Sequence, residues 1–298
     1  MNAIDLFCGC GGFSQGLKDS GINVIAAIDV WDKAIESYKQ NFNDLAICAD
    51  LSTFGPEKLN DMFENKRIDI LVGGPPCCGF SMAGRRDKKD PRSSLFMHFC
   101  EYLNYHEPKL FMMENVLGIL SMKTENSEKS INIIMEQLGK KYDCQIHKVC
   151  ASDYEVPQNR NRVIIVGIHK DLKMSESLRD FISPILEKQE HILVKEVTDW
   201  YTSKKRKNEG FGAQYLDMDK PSYTIPARYY KDGYDALVKY DETCVRRLTP
   251  LELKRIQSFP DDFVLVGNNK EVIMQIGNAI PCRLAYYLGQ SAINTLLQ

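Results

Sequence analysis

A cysteine in a rigid turn is the first group in this sequence whose position suggests chemistry. Cys77 directly follows Gly-Gly-Pro-Pro at residues 73–76, and the apolar run 67–72 before that turn predicts a buried strand. The prolines fix the backbone, and open α/β sheets bind their ligands at the carboxyl ends of strands. A thiolate placed there could act as a nucleophile. An inert buried thiol is the alternative, and Cys77 alone does not exclude it.

Three charged residues could work with such a nucleophile. Glu114 follows the apolar run 109–113, and a carboxyl group there is unfavourable unless it has a partner or a function. Arg160 and Arg162 alternate with asparagines, so in an extended chain both point to one face. Two guanidinium groups could hold the carboxylate and the carbonyl group of a base in fixed geometry. This set favours a reactive Cys77 over an inert one.

The N-terminal segment has the pattern of a strand, a glycine turn and a helix. Residues 3–7 predict the strand, and the turn after it would bring backbone N–H groups and a positive helix end close to a ligand. Ser14 occupies the position of the third glycine in a dinucleotide fingerprint, which argues against NAD. Phe7 offers an aromatic face for an adenine ring. The glycines of the turn are Gly9, Gly11 and Gly12.

Carboxylates end or flank three successive predicted strands. They are Asp5, Asp29 after the strand 23–28, and Asp50 at the end of the strand 46–50. Asp29, about twenty residues past the glycines, is placed to bind ribose hydroxyls, and Trp31 could pack against the same nucleoside. Each aspartate alone could simply cap a helix. Three together at one sheet edge favour a nucleoside site.

The strand–helix alternation predicts an α/β sheet with helices on both faces, and it fades between residues 169 and 243. There the run 204–207 is basic, and residues 221–230 interleave aromatics with an arginine, as in a surface that contacts phosphates and bases. A β-rich core with a solvated edge is the alternative. The basic segment 79–92, whose charges could equally be those of a solvated loop, could close over a polyanion.

The composition describes an ordinary soluble protein. Of 298 residues, 44% are hydrophobic and 26% charged, and the net charge of −2 gives no indication of a nucleic-acid partner. With no signal peptide and no long apolar run, we expect a cytoplasmic or nucleoid-associated protein without membrane contact. The ten cysteines lack C-x-x-C and finger-type histidine spacing, so we expect neither a disulfide framework nor a metal.

Six motifs, in chain order, resemble the DNA (cytosine-5) methyltransferases that use S-adenosylmethionine. Two departures are Cys78, where the family usually has Gln, and Asp29, where it usually has Glu. The motifs are Asp5-Leu6-Phe7-x-Gly9-x-Gly11-Gly12, Pro75-Pro76-Cys77 with Phe80-Ser81, Glu114-Asn115-Val116, Gln158-x-Arg160-x-Arg162, Arg247-Leu248-Thr249-Pro250-x-Glu252 with Gln257-x-Phe259-Pro260, and Gln275-Ile276-Gly277-Asn278-Ala279-Ile280-Pro281.

The resemblance implies a Rossmann-like S-adenosylmethionine-dependent methyltransferase sheet with helices on both faces, plus a small irregular or β-rich target-recognition domain. Residues 1–168 completed by 272–298 would form the catalytic domain, and 169–271 the recognition domain. The expected cofactor-binding residues are Phe7, Gly9, Gly11, Gly12, Asp29, Trp31, Asp50, Pro75, Leu95 and Asn278. The expected DNA contacts are Ser81, Arg85, Arg86, Arg228, Tyr229, Tyr230 and Lys231.

The resemblance also implies a reaction. Cys77 would add to carbon 6 of cytosine, Glu114 would donate a proton to ring nitrogen 3, and Arg162, supported by Arg160, would orient Glu114 near the base carbonyl. The base would be flipped out of duplex DNA, with the segment 79–92 closing behind it. We expect a monomer that acts on double-stranded DNA, as the modification enzyme of a restriction–modification system. A cognate restriction endonuclease for the same site is left open.

Two alternatives remain. One is a tRNA-directed member of the same fold, a branch known for a Cys-Phe-Thr tripeptide that this recognition region lacks. The other is a catalytically silent nucleoside- or DNA-binding module. The presence of Cys77, Glu114, Arg160 and Arg162 argues against the silent module, because a binding protein has no need of a nucleophile.

Overall fold

One seven-stranded sheet forms the centre of the protein. The computed structural model describes residues 1–42, 46–62, 66–76, 95–123, 129–186, 190–198, 214–232, 236–241 and 244–298. The strands are β1 (Asn2–Leu6), β2 (Asn23–Asp29), β3 (Ala46–Cys48), β4 (Ile70–Gly73), β5 (Leu110–Val116), β6 (Tyr142–Cys150) and β7 (Asn161–His169). Their order is β3-β2-β1-β4-β5-β7-β6.

The sheet is parallel from β3 to β5, and β7 runs antiparallel to both β5 and β6. The carboxyl ends of the five parallel strands therefore lie at one edge. The chain order changes direction at β1, because β2 and β3 lie on one side of it and β4 and β5 on the other. Ligands of open α/β sheets bind at such a switch point.

Helices cover both faces, which confirms the predicted α/β class. They are α1 (Gly12–Ser20), α2 (Asp32–Phe42), α3 (Pro56–Met62), α4 (Leu95–His106), α5 (Ser130–Leu138), α6 (Val194–Val197), α7 (Tyr229–Asp232), α8 (Pro250–Ile256), α9 (Asn269–Asn278) and α10 (Cys282–Leu297). Residues of α3, α4 and α5 pack on one face of the sheet, and residues of α1 and α10 pack on the other. Alternate residues of β5 enter the two cores, since strand side chains alternate between faces.

One element differs from the sequence-based expectation. β5 runs to Val116, so Glu114 lies near the carboxyl end of the strand. The strand β6 was not expected, because an edge strand buries few of its residues and this one has polar residues through its middle.

A second, smaller core lies under the recognition region. The antiparallel pair β8 (Leu237–Asp241) and β9 (Cys244–Arg247) packs with α6, α7, α8 and α9 around it. The helix α9 crosses the predicted domain boundary at residue 272, and Ile273 and Ile276 belong to this smaller core. Gly277 and Asn278 of the last motif complete the final turn of α9. The domain boundaries themselves stay a prediction.

Among the described ranges, no helix is long and apolar enough to span a membrane. The same part of the chain brings together no group of three or more histidine, cysteine or acidic side chains that could hold a metal ion.

Candidate active site

The turn between β1 and α1 has a left-handed backbone at three residues. Phe7, Gly9 and Gly11 have φ angles of 58°, 54° and 101°. The amide of Gly9 donates a hydrogen bond of 2.8 Å to Oδ2 of Asp29, and the amide of Trp31 donates one of 2.9 Å to Oδ1. One carboxylate therefore fixes the glycine turn against the end of β2.

These contacts qualify the predicted role of Asp29 as a ribose ligand. It lies where the sequence placed it, as the last residue of β2, but both of its oxygens already accept a backbone N–H. Burial raises the pKa of Asp29, and the backbone donors at Trp31 and Gly9 oppose that rise. Each carboxylate oxygen keeps further acceptor capacity, so the ribose contact stays a prediction.

A buried polar chain lies beneath the turn. Oγ of Ser14 donates to Oδ2 of Asp5 at 2.7 Å, and the hydroxyl of Tyr38 donates to Oγ of Ser14 at 2.8 Å. Burial raises the pKa of Asp5 to about 7, and the negative charge of Asp29 adds to the rise, while the hydrogen bond from Ser14 opposes it. The hydroxyl groups thus stabilise a carboxyl group that lies almost entirely out of solvent.

The three glycines of the turn differ in what surrounds them. A Cβ at Gly11 would lie less than 3.0 Å from the ring of Phe42, and one at Gly12 less than 3.0 Å from the carbonyl oxygen of Ile280. A Cβ at Gly9 would meet nothing within 4 Å. Packing therefore requires Gly11 and Gly12, whereas Gly9 borders open space at the switch point of the sheet.

That open space fits the predicted cofactor. Phe7 and Trp31 are both partly exposed near the ends of β1 and β2, and the adenine contacts expected of them stay predictions. Backbone amides of a glycine turn next to a helix start, with the carboxylate of Asp29 at the end of β2, are donors and an acceptor that suit an adenosyl group with a cationic side chain, whereas Asp5 is buried. S-adenosylmethionine is such a molecule.

Asp50 and Leu95 lie at the outer part of this edge. Asp50 is exposed, and its Oδ1 accepts the amide of Ser52 at 2.8 Å, which lowers the pKa of Asp50. The bond closes a turn and is not a helix cap, because α3 begins only at Pro56. Leu95 is the first residue of α4, and His98 in the same turn is close enough to Asp50 to lower its pKa further.

Glu114 and Arg162 form an ion pair at the carboxyl end of β5. Nε of Arg162 lies 2.6 Å from Oε1 of Glu114, and the side chains are 12% and 17% exposed, respectively. Arg162 is paired with Val116 across the two strands, so the ion pair is diagonal. Among the described residues, no hydrogen bond reaches Oε2 of Glu114, which lies 3.3 Å from the position of a Cβ at Gly74.

The end of β4 is tied to the same place. Gly73 pairs with Met113 in the parallel β4–β5 register, so Pro75 runs beside the end of β5. The buried Asn115 donates from Nδ2 to the carbonyl oxygen of Pro75 at 3.3 Å. Pro75 is buried. Asn115 belongs to the Glu-Asn-Val motif, but no role was predicted for it from the sequence; its hydrogen bond to Pro75 holds the turn that leads to Cys77.

Arg160 does not line the open site. It is 2% exposed, and its guanidinium donates to the carbonyl oxygens of Ile225 (3.2 Å), Gly277 (2.9 Å) and Ala279 (3.1 Å). Burial and the nearby charge of Arg162 lower its pKa to about 9, while Glu114 opposes that shift. Its guanidinium is therefore fixed by backbone carbonyl groups, and its expected supporting role for Arg162 stays a prediction.

Asn278, the last residue of α9, is exposed, and the chain after it reaches the glycine turn where Ile280 meets Gly12. The closing motif thus lies against the cofactor edge, as expected for its helix. Whether the Asn278 side chain contacts a cofactor stays a prediction.

One of the predicted DNA contacts needs correction. Tyr229 is 1% exposed, and its hydroxyl donates to the carbonyl oxygen of Ala236 at 2.8 Å and accepts the amide of Leu248 at 2.9 Å. It is a core residue of the recognition region, because the short helix α7 turns it inward.

Its neighbours Arg228 and Lys231 are exposed, and Tyr230 is partly exposed with Nζ of Lys270 at 5.3 Å from its ring. The DNA contacts expected of these three residues stay predictions. The predicted residues Cys77, Ser81, Arg85 and Arg86 lie outside the described residues.

The parallel sheet with its switch point at β1, the glycine turn that follows β1 and the acid–arginine pair beside β4 are typical of an α/β enzyme. A family model described as C-5 cytosine-specific DNA methylase matches residues 1–294. The chain therefore belongs to this family of DNA (cytosine-5) methyltransferases.

Several curated relatives are similar over most of the chain. The type II methyltransferase M.HgiDI of Herpetosiphon aurantiacus is 32% identical over 98% of this chain and 94% of its own length. M1.HphI of Haemophilus parahaemolyticus is 29% identical over 98% of this chain and 87% of its own. M.DdeI of Desulfomicrobium norvegicum is 41% identical over 67% of this chain, and that alignment spans only 48% of M.DdeI.

Solved structures agree on the fold. A candidate DNA modification methyltransferase encoded within an E. coli prophage superposes with a TM-score of 0.81 at 25% identity and covers 100% of both chains. The S. pombe Dnmt2 methyltransferase superposes with a TM-score of 0.78 at 19% identity, over 99% of both chains. At that identity the second match shows the fold alone.

Proposed function

We propose that this enzyme transfers the methyl group of S-adenosylmethionine to carbon 5 of a cytosine in a short duplex DNA sequence, through a covalent bond between Cys77 and carbon 6. The observation that supports this most is the Glu114–Arg162 pair, held beside the proline turn that directly precedes Cys77. A binding module would not require this constellation.

Cys77 supplies the nucleophile. Carbon 5 of cytosine is a poor nucleophile, so a thiolate first adds to the electron-poor carbon 6 and breaks the 5,6 double bond. The electron pair of that bond becomes available at carbon 5. Loss of the carbon 5 proton to water after methylation restores the double bond and expels Cys77 as a thiolate, and the proton that Glu114 gives to ring nitrogen 3 returns to Glu114.

Glu114 and Arg162 activate the ring. A proton given by Glu114 to ring nitrogen 3 makes carbon 6 a better acceptor of the thiolate, and Oε2 of Glu114 is the oxygen that Arg162 leaves open. The guanidinium of Arg162 fixes the carboxyl group and stabilises negative charge near the base carbonyl. Both residues come from paired strands, which keeps their geometry rigid.

When bound, S-adenosylmethionine supplies an electrophilic methyl group. Phe7, Gly9, Asp29 and Trp31 would hold its adenosyl part at the ends of β1 and β2. The ion pair lies at the end of β5, two strands away from β1 across β4, so the cofactor and the base would meet above β4.

A cytosine inside a duplex cannot reach this site, so the base must be flipped out of the helix. The segment 79–92 is the proposed element that closes behind it, and the recognition region would read the surrounding sequence. Because the named relatives are type II methyltransferases, we infer a modification enzyme of a restriction–modification system, with a cognate endonuclease as its partner in the cell.

Bisulfite sequencing of DNA from cells that express the wild type or Cys77→Ala tests the proposal. We expect methylation confined to one short sequence with the wild type and none with Cys77→Ala, while the purified variant still binds S-adenosylmethionine. Cys78→Ala is the matched control and should keep substantial activity. Activity retained by Cys77→Ala but lost by Cys78→Ala would refute the nucleophile. Unmethylated DNA with a wild type that binds the cofactor would point to an RNA substrate or a silent binder.

A further inference from the structure

A closed ring of buried hydrogen bonds lies behind the catalytic pair. The amide of Ile225 donates to Oε1 of Gln158 at 2.9 Å, and Nε2 of Gln158 donates to Oε1 of Gln257 at 2.5 Å. Nε2 of Gln257 donates to the carbonyl oxygen of Ala279, which also accepts Arg160 at 3.1 Å. Arg160 closes the ring by donating to the carbonyl oxygen of Ile225 at 3.2 Å.

The ring joins parts of the chain that carry different tasks. Gln158 and Arg160 lead into β7, Gln257 caps α8, and Ala279 follows α9. Ile225 comes from the recognition region, and both of its backbone polar groups are used in the ring. A displacement of this segment would therefore break two bonds of the ring at once.

The segment around Ile225 is seated along the β7 lead-in by further bonds. The backbone N–H of Ser222 donates to the carbonyl oxygen of Pro157 at 2.9 Å. The backbone N–H of Asn159 donates to the carbonyl oxygen of Ser222 at 2.8 Å. Oγ1 of Thr224 donates to the carbonyl oxygen of Asn159 at 2.9 Å. Residues 222–225 thus form the recognition segment that contacts the catalytic sheet directly.

The ring depends on the side-chain amides of Gln158 and Gln257, because both are polar and buried. Gln158 and Gln257 are both fully buried, and each uses its oxygen as an acceptor and its nitrogen as a donor. An apolar replacement would leave a buried carbonyl or amide without a partner, which is unfavourable. Arg160 would then shift, and Arg162 follows it two residues later as the second residue of β7.

We propose that Gln158 and Gln257 are positioning residues of the methyl-transfer site, which hold Arg160, and through it the Arg162–Glu114 pair, in place while the recognition segment 222–225 is seated against them. The ring thereby couples engagement of DNA by the recognition region to activation of the cytosine. This inference rests on the proposed function.

The test is a double-mutant cycle with Gln158→Met and Gln257→Met on the full-length enzyme. Its substrate is a duplex that carries the sequence found by bisulfite sequencing, and its readouts are kcat, the KM for DNA, cofactor affinity by calorimetry and Tm. Because a small misplacement of catalytic groups lowers the rate of the chemical step strongly, each variant should lower kcat about tenfold with little change in KM or cofactor affinity. The double variant should lose no more than either single one, because one break already opens the ring.

Thr198→Val is the matched control. It removes one buried hydrogen bond within the recognition region, from Oγ1 of Thr198 to the carbonyl oxygen of Val194 at 3.0 Å, and Thr198 is outside the ring. It should lower Tm as the glutamine variants do and leave kcat unchanged. If Gln257→Met does not fold, Gln257→Asn takes its place in the cycle, because asparagine keeps the amide group but its side chain is too short to span the same distance.

Glutamine variants that lower Tm but keep the wild-type kcat would overturn the inference and leave the proposed function intact, as would losses in kcat that multiply in the double variant. A wild type that methylates no DNA would refute the proposed function itself.

Discussion

Arg162 approaches Glu114 diagonally across two antiparallel strands, with Nε 2.6 Å from Oε1, and not from the directly opposed position. Its strand partner is Val116, the last residue of β5, so the guanidinium comes from the carboxyl edge of the sheet. The arginine is thus placed between the carboxyl group and the mouth of the proposed site, where it can contact both the carboxyl group and a bound base.

Arg162→Lys should lower kcat about 10²-fold, because an ammonium keeps the charge but cannot hold a carboxyl group and a base carbonyl in one plane. Steady-state kinetics on an unmethylated duplex that carries the target sequence would measure this loss in kcat. Lys109→Ala is the control, since Lys109 pairs with Asp69 at 3.0 Å near the other end of β5 and should leave kcat unchanged. Equal losses in the two variants would mean that charge near the sheet, rather than geometry at Glu114, determines the rate.

Gly9→Ala should weaken binding of S-adenosylmethionine more than it weakens the fold. A Cβ at Gly9 meets no protein atom within 4 Å, so it would enter the space proposed for the cofactor. The left-handed backbone at Gly9 adds about 1–2 kcal/mol of strain. Calorimetric titration with the cofactor and thermal unfolding would separate the two effects.

Gly21→Ala is the matched control for that strain, because Gly21 also has a positive φ and open space around its Cβ position. It should lower Tm by a similar amount and leave cofactor affinity unchanged. If Gly9→Ala binds the cofactor as tightly as Gly21→Ala does, the cofactor does not approach the turn at Gly9.

Asp5 should make the free energy of unfolding depend on pH. Burial raises its pKa from 3.8 to about 7, so the folded state binds the proton more tightly than the unfolded chain does. The stability that this proton contributes is fully present below pH 3.8 and is lost as the pH rises through about 7. Asp5→Asn removes this titration and keeps an oxygen that can accept from Ser14.

Urea unfolding of the wild type and of Asp5→Asn would test this. The variant should gain stability relative to the wild type as the pH rises through about 7, and the difference should shrink towards pH 4. A difference that does not change with pH would show that Asp5 is ionised in the folded protein throughout this range. Asp19→Asn serves as the control, because Asp19 is an exposed residue near the end of α1.

The sequence was most informative where local pattern and chemistry agree. Apolar runs predicted the parallel strands, and the period of two in an extended chain placed Arg160 and Arg162 on one face. That Arg162 meets Glu114, while Arg160 is buried against backbone carbonyl groups, follows from tertiary packing and the pairing of β5 with β7, which local pattern alone does not contain. The motif resemblance supplied this long-range information.

The sequence was least informative where an assignment depends on tertiary packing. Tyr229 and Tyr230 are adjacent aromatic residues in a basic stretch, and only the packing of the short helix α7 shows that Tyr229 points inward. Gln158 and Gln257 are 99 residues apart in the chain, so no local signal indicates that their amides meet. Because buried polar groups are nearly always hydrogen-bonded, a glutamine expected to be buried in a motif should have a hydrogen-bond partner elsewhere in the chain.

The adjacent residues Tyr229 and Lys231 allow the recognition surface to be separated from its core. Tyr229→Phe should destabilise the protein by about 1–2 kcal/mol, because the buried carbonyl of Ala236 and the amide of Leu248 both lose their partner. Its affinity for DNA should stay unchanged. Lys231→Ala should leave Tm unchanged and weaken DNA binding uniformly across sequences, since an exposed lysine contributes through phosphate contacts.

Fluorescence anisotropy with labelled duplexes over a range of salt concentrations would measure the second effect. Loss of one phosphate contact should reduce the slope of log affinity against log salt by about 0.9. A Lys231→Ala variant with the wild-type slope would place the DNA-binding surface elsewhere on the recognition region. A Tyr229→Phe variant that keeps its stability but binds DNA more weakly would show that the Tyr229 hydroxyl reaches the DNA in the complex.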